Sequence, residues 1–423
     1  MSDFAVKEIN DSLTLMSIKT DKFTNNRISV VFINPLEKER NGLYALLSLV
    51  LRRGTKNYPD ISSLNLRCEE LYGALISGSV QKRGDYQAVS ICADFIKNSF
   101  AYDKENVEKQ ALELLFEVIF NPKIENEQFD TQIVEKEKES LCDRIRAAVN
   151  DKRTYAVTRC QELMCQGSPF GENELGSIEF IEKATPKQLY KAYKEFISNS
   201  KIIVFAQGML DFSSIEKSIT EKFKNKCNFD IVQTAVPISE QVRNFEDNMQ
   251  VSQGKLTLAF NTDTLPTDKS YPALILLNCI YGGSAHSKLF ENVREKLSLC
   301  YYCAARLEAQ KGIMLVYSGV EFDKLSAAQE EILNQLKHIT DGEITEEEIS
   351  AAKKTLKNLY IAANDSLYTL ESFYINGYLS GRIYSPEEIS ERIMAVCKEQ
   401  ITAVSEKISL NCTYVLKGGK EDE

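Results

Sequence analysis

Histidine is almost absent from this chain: His286 and His338 are the only two in 423 residues, and both lie in the second half. Zinc peptidases bind their metal with two imidazoles on one helical turn, in motifs such as H-x-x-E-H or H-E-x-x-H. Neither spacing occurs here. A thiolate zinc site needs clustered cysteines, and Cys300 with Cys303 alone is weak support for one. The sequence therefore excludes a zinc peptidase that works alone, and we expect no metal or other cofactor in this chain.

Other features that the sequence lacks argue against a membrane protein, a secreted protein and a nucleic-acid-binding protein. No run of 18 or more apolar residues occurs, so we expect no membrane span. The first residues, Met1-Ser2-Asp3-Phe4, lack the apolar core of a signal peptide. The formal charge of −10 disfavours nucleic acid and anionic membranes as partners. Eleven scattered cysteines favour reduced thiols over a disulfide framework, so we expect a cytoplasmic protein.

Strands and helices alternate in the predicted first half. The apolar run 28–33 predicts a buried strand, and residues 42–51 predict an apolar core helix that stops near Gly54. One long helix is expected from about 127 to 163. Within it, the charged run Glu135–Glu139 is typical of a solvated helix face with i,i+4 ion pairs.

The end of the first half is repeated at the end of the second. Thr185-Pro186 and Ser385-Pro386 each predict an N-cap followed by proline in the first turn of a helix. We expect helices of similar length there, each leading to a final strand, at 202–208 and 413–418.

This repeat predicts an α+β fold with two homologous domains, each a mainly antiparallel sheet with helices packed on one face. The expected ranges are 1–222 for the first domain, 223–245 for a polar linker interrupted by Pro237, and 246–423 for the second domain.

Three stretches carry a resemblance to a known family: Gly42–Thr55 (GLYALLSLVLRRGT), Ser168–Ser177 (SPFGENELGS) and Tyr281–Tyr301 (YGGSAHSKLFENVREKLSLCY). They and the order of the elements around them resemble the insulinase/pitrilysin family of zinc metallopeptidases. That family includes mitochondrial processing peptidase and its inactive partner subunits. The resemblance covers nearly the whole chain and implies the same two-domain fold.

The resemblance also locates a degenerate metal site. The family's H-x-x-E-H helix corresponds to the first stretch, and its third ligand is a Glu on the long helix. Four residues occupy these positions, and none of them can ligate zinc: Ala45, Ser48, Leu49 and Arg144. A shift of one residue in the long helix would place Asp143 at the third position, but it would not restore the histidines.

An arginine and a tyrosine of the family's second domain remain in this chain as Arg294 and Tyr301. In the family they reach across to the zinc site, and the resemblance implies that they position substrate and stabilise a developing oxyanion. A guanidinium and a phenol are suitable hydrogen-bond donors for that role. The alternative is that Arg294 makes a surface ion pair and Tyr301 packs in the core.

Two functions remain open. In the first, the chain is the non-catalytic subunit of a two-chain peptidase: it binds an extended peptide and lends Arg294 and Tyr301 in trans to a related subunit that carries H-x-x-E-H and the zinc. In the second, it is a homodimeric peptide-binding or scaffold protein, in which an edge strand takes an extended peptide without chemistry. A cysteine enzyme is a weaker idea, because neither histidine can be assigned to a thiol as its base.

Overall fold

In a computed structural model of the protein, the structure describes residues 3–224 and 226–418. The chain divides into two compact units, each built from two stretches: Met1–Arg146 with Glu172–Asp230, and Ala147–Gly171 with Ile231–Glu423. No helix among the described residues is both long and apolar enough to cross a membrane.

The strands, in chain order, are β1 (Asp3–Asn10), β2 (Leu13–Lys19), β3 (Asn25–Pro35), β4 (Leu75–Arg83), β5 (Tyr86–Ile96), β6 (Ile124–Glu125), β7 (Gln128–Phe129), β8 (Lys201–Gly208), β9 (Arg243–Met249), β10 (Gly254–Asn261), β11 (Cys300–Glu308), β12 (Ile313–Val320) and β13 (Ser409–Gly418). The helices are α1 (Lys38–Val50), α2 (Ile61–Glu70), α3 (Val107–Phe120), α4 (Thr131–Ala148), α5 (Lys152–Met164), α6 (Ile178–Lys183), α7 (Pro186–Asn199), α8 (Phe212–Lys222), α9 (Tyr271–Asn278), α10 (Leu325–Thr340), α11 (Glu346–Ala363), α12 (Leu367–Leu379), α13 (Pro386–Met394) and α14 (Lys398–Ser405).

The first unit is built on a six-stranded sheet with the order β1-β2-β8-β3-β5-β4. Every neighbouring pair is antiparallel except β2 with β8. The central strand β3 is buried from Ile28 to Asn34, which explains its almost continuous apolar sequence. Helix α1 packs on this sheet through Ala45, Leu46 and Leu47, and the strand predicted at 28–33 and the helix predicted at 42–51 are confirmed.

The second unit repeats this topology in a five-stranded sheet, β11-β12-β10-β13-β9. Its central strand β10 is buried along its whole length, and only the pair β13 with β9 is parallel. Strand β10 therefore corresponds to β3, β12 to β5, β13 to β8, and the edge strand β11 to the edge strand β4. The predicted α+β class with two similar, mainly antiparallel sheets is confirmed.

The two predicted N-caps are also confirmed, but one helix length is wrong. Thr185 caps α7 and Ser385 caps α13, each in a reciprocal capping box with the residue three positions later. Helix α13 has 9 residues where α7 has 14, because the chain leaves the helix after Met394 and starts α14 from a new cap at Cys397.

The single long helix expected at 127–163 is wrong. The structure has α4 and α5, separated by residues 149–151. Asp151 stops the first helix from continuing, since its carboxylate accepts hydrogen bonds from the amides of Arg153 and Thr154 and so begins a new helix. Helix α5 packs in the second unit, where Cys160 lies in one buried cluster with Ala259 and Cys412 of the sheet. Along β10, Ala259 points to the opposite face from Leu256 and Leu258, and those two leucines belong to a different cluster that contains the side chains of α9. Helix α5 therefore covers the opposite face of the sheet from α9.

We predict that Thr185→Ala lowers the free energy of unfolding by about 1 kcal/mol, because the amide of Gln188 loses its capping acceptor. Urea unfolding followed by circular dichroism measures this. Ser218→Ala is the control, since the Ser218 hydroxyl bonds only the Ser214 carbonyl within α8 and its loss should cost less than about 0.5 kcal/mol. Equal effects of the two changes would contradict the cap's contribution.

Candidate functional site

The residues at the metal-site positions of α1 offer no zinc ligands. Ala45 and Ser48 are buried and Leu49 is half-buried. The Ser48 hydroxyl donates a 2.7 Å hydrogen bond to the Ala45 carbonyl, which is a local helix contact. Two aliphatic side chains and an engaged hydroxyl do not fit a zinc ion, which requires imidazole, thiolate or carboxylate. In the described part of the chain, no group of three or more His, Cys, Asp or Glu is arranged to hold a metal.

The third-ligand position is also unsuited to a metal. Arg144 is exposed on α4, and no hydrogen bond or ion pair joins it to another described residue. Asp143, the alternative at this position, is exposed and pairs with Arg146 at 3.0 Å. Arg144 is therefore a surface residue of α4 and does not fill a buried cavity.

A buried carboxylate that the sequence did not reveal lies on the same helix, about two turns before Arg144. Glu137 of α4 is 1% exposed, and its Oε1 lies 2.6 Å from Nε of Arg53, directly after α1. Its other oxygen, Oε2, has no hydrogen-bond partner in the described structure. Glu137 belongs to the charged run interpreted as a solvated face, and that interpretation is wrong for this residue. Its burial depends on neighbours in space, and one of them, Arg53, is 84 residues away in the sequence.

Arg52 fixes the end of α1 against the edge strand β4. Its Nε donates a 2.9 Å hydrogen bond to the Ser48 carbonyl. A Cβ atom at Gly78 of β4 would lie 2.9 Å from the same carbonyl and 3.0 Å from Arg52 Nε, so only glycine allows this approach. Burial, and secondly the neighbouring Arg53, lower the pKa of Arg52. A guanidinium thus lies beside a free sheet edge, on the helix face that carries the degenerate metal positions.

Arg294 lies on a helical segment, Leu289–Lys296, that packs against β11. Its side chain is 40% exposed and its Nε lies 3.4 Å from a carboxylate oxygen of Glu295. The guanidinium also stacks on the ring of Phe290, 4.6 Å from its centroid. The surface ion pair foreseen as the alternative role is present, and it leaves much of the guanidinium open to solvent.

Tyr301 does not pack in the core. It is the second residue of β11 and is 60% exposed. Its hydroxyl donates one hydrogen bond of 3.3 Å to Glu321, which is longer than a typical hydroxyl–oxygen bond of about 2.5–3.0 Å. The phenol therefore lies at a sheet edge with most of its surface free.

Two thiols accompany this pair. Cys300 is half-buried and Cys303 is 5% exposed. A hydrogen bond from the Cys303 thiol lowers the pKa of Cys300 to about 7, with Ser318 and Arg294 adding to the effect and burial opposing it. The same contact raises the pKa of Cys303 well above its usual value. Cys300-Tyr301-Tyr302-Cys303 has the C-x-x-C spacing, and this spacing is the sequence signal for the pair.

Comparisons with known proteins agree with this geometry. A family profile described as the peptidase M16 inactive domain matches residues 183–356. The chain is 32% identical over 415 residues to the probable inactive metalloprotease YmfF of Bacillus subtilis, which covers 98% of this chain and 97% of that protein. A conserved protein from Enterococcus faecalis superposes with a TM-score of 0.92 at 29% identity over 100% of both chains. A protease from Helicobacter pylori superposes with a TM-score of 0.78 at 15% identity, over 99% of this chain and 100% of that one.

We predict that Arg53→Met lowers the free energy of unfolding by about 3 kcal/mol, because it leaves the Glu137 carboxylate buried without its partner. Replacing both residues, Arg53→Met with Glu137→Leu, should recover most of the loss. Arg144→Met is the matched control, since that arginine is exposed, and it should change stability by less than about 0.5 kcal/mol. Urea unfolding of the four chains provides the comparison, and a double variant as unstable as the single one would contradict the pairing.

We also predict that the rate of Cys300 alkylation by iodoacetamide rises with pH and is half-maximal at about pH 7, since the thiolate is the nucleophile. Arg294→Gln removes a nearby cation, so the Cys300 pKa should rise and the rate at pH 7 should fall. Arg306→Gln, an exposed arginine of the same strand, is the control. Peptide mass spectrometry measures the rate at each cysteine; a midpoint that Arg294→Gln leaves unchanged would contradict the assignment.

Proposed function

Since this chain belongs to the insulinase/pitrilysin (M16) family as an inactive metalloprotease homologue, we propose that it is the non-catalytic subunit of a two-chain peptidase. One observation carries the proposal: the metal positions have lost their ligands, whereas the Arg294 and Tyr301 side chains stay exposed and free to meet a partner. The related subunit would bear H-x-x-E-H and the zinc. This chain would bind an extended peptide and contribute the two donors in trans.

The contacts of the two donors support this role. Tyr301 is restrained by a single long hydrogen bond to Glu321, and Arg294 by a 3.4 Å contact with its neighbour Glu295 and by its stacking on Phe290. Exposed ion pairs and long hydrogen bonds contribute little to stability, typically ~0–1 kcal/mol. Both side chains can therefore turn towards a carbonyl oxygen of a bound peptide at small cost. An oxygen that gains negative charge would attract both donors more strongly than the ground-state carbonyl does.

Peptide binding is supported by the free edges of the two sheets. Strands β4 and β11 each end a sheet, so one row of their backbone amides and carbonyls is open to pairing among the described residues. An extended peptide can add to such an edge as a further strand. Beside β4 lies Arg52, whose guanidinium offers a hydrogen-bond donor to a peptide on that edge. Beside β11 lie Arg294 and Tyr301.

The free edge of β4 also favours a second candidate, a homodimeric scaffold that binds peptides without chemistry. In that case the Arg53–Glu137 ion pair stabilises the end of α1 without any metal, and Arg294 has no catalytic role. The two candidates differ in one measurable respect, which is whether the exposed pair affects turnover by a zinc-bearing chain.

We predict that Arg294→Gln and Tyr301→Phe each lower kcat by about 10²–10³ when this chain is mixed with the H-x-x-E-H-bearing relative from the same organism. The loss should appear mainly in kcat, because the donors act on the developing oxyanion. Turnover of a fluorogenic peptide substrate measures it. Association of the two chains, followed by analytical ultracentrifugation, should be unchanged, since both side chains are exposed.

The control variants are Arg306→Gln on β11 and Tyr72→Phe, which are exposed residues with no proposed role in turnover. Both should leave kcat unchanged. If the complex forms and neither test variant lowers turnover, the trans-donor role is refuted and the scaffold function remains.

A further inference from the structure

We propose that Arg52 and Gly78 form a subsite on the edge strand β4 that selects an acidic residue, Asp or Glu, in an extended peptide bound to that edge. The inference rests on the proposed function, because it names the kind of peptide that the chain binds. It concerns one sheet edge of this chain, so it needs neither a partner subunit nor turnover.

The side chains of β4 determine where a bound peptide directs its own side chains. Ile76, Gly78 and Val80 lie on one face of the strand, because side chains alternate along it. Ile76 and Val80 belong to the buried cluster that also contains the core residues of α1. Directly opposite residues of two paired strands have their side chains on the same face. A peptide residue paired with Gly78 therefore directs its side chain to the face of the sheet that α1 covers.

The end of α1 presents a guanidinium at this position. A Cβ atom at Gly78 would lie 2.9 Å from the carbonyl oxygen of Ser48 and 3.0 Å from Nε of Arg52. The Cβ atom of a directly paired residue lies about 4.5–5.5 Å across from that point, so the carboxylate of Asp or Glu, which extends beyond Cβ, can reach the guanidinium. The planar fork of arginine can bind a carboxylate through two parallel hydrogen bonds.

Arg52 is a half-buried cation that has no ion pair with any residue in the ranges 3–224 and 226–418. The 2.9 Å bond from its Nε to the Ser48 carbonyl is the one hydrogen bond that its side chain makes to these residues. The buried carboxylate of Glu137 is paired with Arg53 instead, at 2.6 Å. Burial and then Arg53 lower the pKa of Arg52, and Glu137 opposes them only in part. A peptide carboxylate would supply the compensating charge that Arg52 lacks.

The equivalent position in the second sheet is closed by an apolar contact. Helix α9 follows the central strand β10 as α1 follows β3, and the chain directly after α9 packs on the edge strand β11. A Cβ atom at Gly282 would lie 2.7 Å from Cβ of Ala305, so no space is left there. The residues before Gly282 in this turn, Cys279–Tyr281, are uncharged and buried. Of the two edges, β4 therefore has a charged group at this position and β11 does not.

Binding of three labelled peptides to the full chain tests the proposal. Each is a fluorescein-labelled nonapeptide of serine, threonine and valine with Glu, Gln or Lys at its centre, and fluorescence anisotropy measures its affinity. We expect the Glu peptide to bind about tenfold more tightly than the Gln peptide, because hydrogen bonds between charged groups are stronger than neutral ones. The Lys peptide should bind most weakly. The difference between the Glu and Gln peptides should shrink as the salt concentration rises.

Variants of Arg52 assign the preference to the guanidinium. Arg52→Gln should bind the Glu and Gln peptides with equal affinity. Arg52→Lys keeps the charge but not the fork, so it should recover part of the preference. Arg144→Gln is the matched control, since it removes an exposed positive charge of the same unit and should leave the preference unchanged. Circular dichroism of each variant checks that the fold is retained.

Hydrogen–deuterium exchange locates the bound peptide. The Glu peptide should protect the amides of β4 in the native chain, and it should protect them less in Arg52→Gln at the same peptide concentration. Protection that is confined to other strands would contradict a subsite on β4.

The outcomes separate the subsite from the proposed function. Equal affinity for the three peptides, with β4 still protected, overturns the acidic subsite and leaves peptide binding in place. A preference for the Glu peptide that persists in Arg52→Gln, or that Arg144→Gln abolishes, overturns the assignment to Arg52. If none of the peptides binds, peptide binding by this chain is refuted, and the subsite is refuted with it.

Discussion

Each unit depends on one strand that is hydrogen-bonded on both sides and buried along nearly all of its length. Strand β3 has this position in the first sheet and β10 in the second. On one side, the central strand pairs with an antiparallel neighbour, β5 in the first sheet and β12 in the second. That neighbour pairs in turn with one more antiparallel strand, β4 or β11, which forms the free edge of its sheet. The residues with proposed functions lie at these two equivalent edges. The position of the buried central strand in each sheet therefore determines which strand forms this free edge.

The α1 positions that correspond to the family's metal ligands make structural contacts in this chain. The positions on α1 have become part of a packed helix, with Ala45 in the core and the Ser48 hydroxyl bonded within its own turn. The buried charge that remains nearby, Glu137, is balanced by the guanidinium of Arg53. Removing one member of such a pair costs far more free energy of folding than removing both, so each of the two residues depends on the other.

At the edge of the second sheet, several polar side chains lie around one irregularity of the backbone, the bulge in β11. The bulge lies at the exposed Tyr301, and it pairs Cys300 and Cys303 with Val320 and Ser318, which lie on one face of the sheet; Arg294 is close enough to favour the thiolate of Cys300. A regular strand would have placed the two thiols on opposite faces. Bulges at sheet edges commonly redirect side chains in this way next to functional sites.

The sequence by itself determined what does not require long-range contacts. Two histidines exclude a zinc motif whatever the fold, the caps at Thr185 and Ser385 are local hydrogen bonds, and the apolar run 28–33 specifies a buried strand through its composition. Tertiary structure alone decided the rest. The charge pattern of α4 fits a solvated face, and only the approach of Arg53 makes Glu137 a buried residue. The packing of α5 in the second unit likewise follows from an apolar face whose partners lie far along the chain. The break before α5 is a local feature, since the cap at Asp151 binds only the amides of Arg153 and Thr154. Burial and the environment of a thiol are properties of neighbours in space, and a pattern along one chain does not contain them.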